Sequence, residues 1–107
     1  MVKLRGEVKR LISSKLPMPL YTFFVDYKGG TYISQVRAAS PSKATEVWAK
    51  KLKHITIQGM GDKSKERLAQ ELRDEGPVSI HGLERTWCST ALIQGHLVLI
   101  NLVETAE

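Results

Sequence analysis

Three groups of residues are of types that do chemistry. The first is the loop Gly59-Met60-Gly61-Asp62-Lys63-Ser64. A phosphate-cradling loop needs glycine directly before Lys-Ser and another glycine five residues earlier, so that backbone N–H groups can close on the anion. Asp62 and Ile57 hold those two places, and a carboxylate there repels phosphate. The loop therefore reads as a helix cap. The second group is Cys88 with His54, His81 and His96. Structural zinc sites bring their ligands in close pairs, and no such pair exists here. A nucleophilic cysteine needs a base and a cationic setting; only Arg85 is near Cys88 in sequence, and Trp87-Cys88-Ser89-Thr90 is strand-like. Free cysteine in a strand behaves as a small apolar residue. No catalytic residue, cofactor or metal is assigned, and the balance leans away from an enzyme.

The third group is a basic block. Residues 43–67 carry seven cations against three acids, and residues 68–107 carry two against six. Residues 1–16 add five cations against Glu7, so the chain total of +5 is sorted along its length. Lys50, Lys51, Lys53 and His54 cluster near the end of one predicted helix, where cations suit the helix dipole. Lys63, Lys65 and Arg67 lie at the start of the next, where the dipole opposes them. Together with Lys43, and with Lys9 and Arg10 of the first segment, these form the candidate partner-binding set. A basic surface suits an anionic partner.

The elements that must position these residues follow from apolar spacing. Residues 20–27 alternate, with Tyr21, Phe23, Val25 and Tyr27 on one face. Gly29-Gly30 reads as the hairpin turn, which sets Tyr27 against Tyr32, Val25 against Ser34, Phe23 against Val36 and Tyr21 against Ala38. Ser40-Pro41 opens a helix as N-cap and first residue, with Ser42 as the rival cap. Its stripe is Ala44, Val47, Trp48 and Leu52. A short strand is expected at 54–58 from Ile55 and Ile57. A second helix starts with Asp62 as N-cap, carries Leu68, Ala69 and Leu72, and ends at Gly76-Pro77. Strands follow at 78–80, 86–93 and 97–103, the last two joined at Gln94-Gly95. Leu97-Val98-Leu99-Ile100 is apolar on both faces, the pattern of a strand covered on both sides.

The expected fold class is α+β: an antiparallel or mixed sheet in the order (arm)-ββ-α-(β)-α-βββ, with two helices largely on one face. Residues 1–17 form a basic N-terminal extension in which Val8, Leu11, Ile12 and Leu16 follow helical spacing. Residues 18–107 form a single domain. Hydrophobic content of 42% and charged content of 25% are those of a globular chain. No apolar run approaches the length of a membrane span, and a cytoplasmic location is the expectation.

Residues 21–52 resemble the hairpin-plus-helix start of HicB-like antitoxins in Phe23-Val25-Tyr27, Gly29-Gly30, Tyr32, and Ser40-Pro41 with its helix bearing Ala44. The likeness covers about a third of the chain and is one of local architecture. Beyond it come a second helix and a β-rich end, without an evident helix-turn-helix. The expected function is a non-enzymatic binding module that holds a protein partner, in an antitoxin-like, immunity-like or adaptor role. The alternative is nucleic-acid binding through the block at 43–67 with help from the arm. A homodimer through a sheet edge or the second helix is compatible with the pattern.

Overall fold

The computed structural model describes residues 18–107. The expectations placed on residues 1–17, including the arm helix, Lys9 and Arg10, lie outside the described residues. Strands β1 (Leu20–Tyr27) and β2 (Gly30–Arg37) form a hairpin, followed by helix α1 (Pro41–Lys51), a 3₁₀ turn (Leu52–His54) and helix α2 (Asp62–Glu75). Strands β3 (Val78–Ser79), β4 (Thr86–Ile93) and β5 (His96–Thr105) complete the domain. One five-stranded sheet results, in the order β2-β1-β5-β4-β3, with every neighbouring pair antiparallel. The α+β class and the ββ-α-α-βββ order stand as read from the sequence.

Strand alternation puts Tyr21, Phe23, Val25 and Tyr27 of β1 under the helices, beside Val98, Ile100 and Leu102 of β5. Ala44, Trp48, Ala49 and Leu52 descend from the α1 segment, and Leu68, Ala69 and Leu72 from α2. Trp48 stacks on Phe23 with ring centroids 5.5 Å apart and planes 6° from parallel. Its indole Nε1–H donates to Ser34 Oγ at 2.9 Å, so the one polar atom of the ring has a partner.

Four expectations need correction. The first hairpin turns at Lys28-Gly29, with φ of 48° and 83°, so Tyr27 pairs with Gly30, Val25 with Tyr32, Phe23 with Ser34 and Tyr21 with Val36. The register differs from the expected one by two residues. Because the side-chain period is also two, every residue keeps its face. Residues 54–58 form no strand; the 3₁₀ turn runs into an irregular link in which Ile57 is buried and Ile55 half-buried. Two alternate apolar residues can cap a core from a loop as readily as from a strand. The α2 N-cap is Gly61, and Asp62 is the first helical residue, where its charge still suits the dipole. The rival caps of α1 resolve to Ser40, whose Oγ accepts from the Lys43 N–H at 3.1 Å.

The fourth correction concerns β5. It is the central strand, but the described residues cover only one of its faces. On the face away from the helices, Leu97 is 56% exposed and pairs with Leu92, which is 60% exposed. One row across the same face runs Ile33, Phe24, Asn101, Cys88, Val78. Ile33 and Val78, at its two ends, are 62% and 63% exposed.

Candidate functional site

The helices run antiparallel. The end of α1 and the start of α2 share one cavity, and the start of α1 and the end of α2 share another. This arrangement collects part of the basic block. A groove of about 430 Å³ lies between the end of α1, the 3₁₀ turn and the first turns of α2. Lys50, Lys53 and His54 form one wall, and Lys65 stands on the other with Asp62 and Glu66. Ala49, Leu52 and Ala69 lie between them as an apolar floor.

The two walls are held for different reasons. Lys50 and Lys51 end α1, where the exposed carbonyls favour cations. Lys65 sits in the first turns of α2, where the dipole opposes a cation. Its Nζ instead donates to the Ile55 carbonyl. That bond ties the start of α2 to the link and leaves Lys65 half-buried in the groove.

The remaining members of the predicted set are placed elsewhere. Lys43 lies at the opposite end of α1 and pairs with Glu46 at 3.3 Å. Arg67 pairs with Glu71 at 3.2 Å along α2. Lys51 and Lys63 are exposed outside the groove lining. The sequence signal thus merged two populations: charges that line one groove, and charges on solvated helix faces. It missed the two carboxylates. Leu52 and Ala69 of the floor belong to the predicted apolar stripes, and Ala49 is the floor residue that sequence reasoning passed over.

Cys88 points out of β4 on the face away from the helices, while His54 is at the groove and His96 begins β5. The His96 ring meets the Tyr27 ring edge-on at 6.3 Å. Among the described residues, no three of histidine, cysteine, aspartate and glutamate are grouped to hold a metal ion. Nor is any described helix long and apolar enough to cross a membrane.

Fold and groove together define a small α+β domain whose helix hairpin is open at one end over a basic, apolar-floored groove. No family model, curated protein or solved structure matches the chain.

Proposed function

We propose that this protein is a non-enzymatic binding module that holds an acidic segment of a protein partner in the groove between α1 and α2. The observation that supports this reading is the groove's composition. Lysines and a histidine line its walls, its floor is apolar, and two carboxylates stand with Lys65 on the α2 wall. An amphipathic acidic segment could satisfy all three: apolar side chains on the floor, carboxylates toward Lys50 and Lys53, and a donor toward Asp62 or Glu66. An antitoxin-like, immunity-like or adaptor role falls within this reading.

Nucleic-acid binding is the second reading, favoured by the convergence of Lys50, Lys53 and Lys65 on one groove. It is the weaker of the two. Asp62 and Glu66 would face phosphates, and no Phe, Tyr or Trp ring that could stack on a base is among the residues lining the groove.

Fluorescence anisotropy of the full chain separates the two readings. The probes are a labelled amphipathic Leu/Glu peptide and labelled single- and double-stranded oligonucleotides, each across a salt series. The expected result is saturable peptide binding, weakened about tenfold or more by Lys50→Glu with Lys53→Glu, since charge-assisted contacts contribute about 1.5–3 kcal/mol each. Oligonucleotide binding with a steep salt slope and no peptide binding would overturn the first reading in favour of the second.

A further inference from the structure

A strand at the edge of a sheet presents unpaired backbone groups, and monomers blunt such edges with short strands, lysine, proline or bulges. The two edges of this sheet are treated differently. The β3 strand is two residues long and Pro77 precedes it. At the other edge, β2 runs for eight residues, holds no proline or lysine, and pairs with β1 residue for residue without a bulge. Its one charged residue, Arg37, stands at its end and forks onto Glu107 of the same chain.

Hairpin geometry decides which groups are open. The two-residue turn at Lys28-Gly29 makes Tyr27 and Gly30 a hydrogen-bonded pair, and such pairs recur at every second residue. Tyr32, Ser34 and Val36 therefore direct their N–H and C=O groups to β1, and the Ala38 N–H continues the series to the Pro19 carbonyl at 3.2 Å. The N–H and C=O groups of Thr31, Ile33, Gln35 and Arg37 point away from β1. Among the described residues nothing pairs with them: β2 has β1 as its one sheet neighbour, and no loop or cap hydrogen bond reaches them.

We propose that β2 of a second copy fills this edge, paired antiparallel about a twofold axis at Ser34, so that two sheets become one. Three observations favour a copy of this chain over an unrelated strand. The first is register. With Ser34 opposite Ser34, every outward residue meets an outward residue: Ile33 faces the second copy's Gln35, and Thr31 faces its Arg37. About eight backbone hydrogen bonds form, and the next matching register loses about two of them. The closest approach falls on the axis, where serine is small enough for a non-hydrogen-bonded pair. The second is apolar matching. On the helix face the half-buried Tyr32 comes opposite the second copy's Val36, and on the other face the two exposed Ile33 side chains become diagonal neighbours. The third is charge. No like charges stand opposite each other. The second copy's Arg37 meets Thr31, whose hydroxyl donates to Asp26 Oδ1 at 2.6 Å, so the cation enters the row of an exposed carboxylate. An edge about 27 Å long and one sheet thick buries roughly 600 Å² over the two copies, the size of a weak, reversible contact. No residue of β2 lines the groove between the helices, so this pairing is independent of the peptide reading.

Sedimentation velocity of the full chain over a hundredfold range of concentration measures the association, and amide hydrogen exchange by NMR locates it. A monomer–dimer equilibrium is expected. The Ile33 and Gln35 N–H groups should exchange at least tenfold more slowly at the high end of the range, while Ser34 is protected throughout. Gln35→Pro removes one outward N–H where an edge strand tolerates proline, and Ile33→Lys sets two cations diagonally across the axis. Each variant should keep its thermal transition and lose the dimer. A monomer at every concentration overturns the proposal. So does protection of Ile33 and Gln35 that does not change with concentration, which means that the edge is paired within one chain. A dimer that survives both substitutions also overturns it, because another surface then joins the copies.

Discussion

Replacing Trp48 with alanine tests the packing on which both the fold and the functional reading depend. Trp48 is 1% exposed, stacked on Phe23 and hydrogen-bonded to Ser34. Truncating a buried aromatic residue to alanine costs about 3–5 kcal/mol, because transfer and cavity terms add. Within that total the stacking contributes about 0.5–1.5 kcal/mol and the indole hydrogen bond about 1 kcal/mol. A domain of this size has about 5–13 kcal/mol of stability in all, so the variant should keep only a fraction of it. Its thermal midpoint should fall by about 15–30 °C. Urea unfolding followed by far-ultraviolet circular dichroism is the suitable assay, since it does not depend on the fluorophore being removed. The companion variant Ser34→Ala leaves the buried indole N–H without its acceptor and should cost about 1–3 kcal/mol. The double variant should lose less than the sum of the two, since the bond can be lost only once. A loss under about 1.5 kcal/mol for Trp48→Ala would refute the argument. It would mean that the ring is dispensable to the core and open to another role, such as base stacking.

Other outcomes can be stated briefly. Lys50→Glu with Lys53→Glu should weaken peptide binding while costing only about 0.5–2 kcal/mol in urea titration, because both side chains are exposed and the main loss is a cation exchanged for a carboxylate at the end of α1. Tyr27 is buried and its hydroxyl has no hydrogen-bond partner among the described residues. Tyr27→Phe should therefore be neutral or should stabilise by up to about 1 kcal/mol, measured as a shift of the urea midpoint; a clear loss would point to a partner for that oxygen. Arg37 Nη1 and Nη2 donate to the two Glu107 carboxylate oxygens at 2.8 and 2.9 Å. The hydrogen bond from Arg37 holds the Glu107 carboxyl below its ordinary 4.5; desolvation opposes it and the guanidinium charge adds to it. For a carboxyl lowered in the folded state, the contribution is present above the ordinary value and is lost as pH falls through the folded one. An NMR carboxyl titration should find the Glu107 midpoint below 4.5 and rising in Arg37→Gln; no change between the two proteins would discount the pair.

The elements were legible in the sequence where one local rule governs them. Alternation gave β1 its inward residues, and Ser40-Pro41 marked the start of α1 because a side-chain oxygen can cap only the N–H groups that follow it. Gly76 marked the end of α2, where φ reaches 73°. Errors arose where two local solutions are nearly equal. Lys28-Gly29 and Gly29-Gly30 are both acceptable turns, and only the strands' pairing chose between them. Ile55 and Ile57 serve a loop as well as a strand.

What the sequence alone determined about this protein is its class, its sorted charge and the inward faces of β1 and β2, because these depend on composition and on periods of two and 3.6 residues. Tertiary structure decided the rest. It brought β1 beside β5, pairing Leu20 with Thr105 across most of the described chain. It folded α1 against α2 so that Lys65 meets Lys50 and Lys53, while Lys43 and Arg67 are turned to partners on their own helices. It also left Leu97 and Leu99 on a face that their own pattern says should be covered. The reason is the same in each case: which elements become neighbours depends on burying apolar surface over the whole chain, and no local window carries that information.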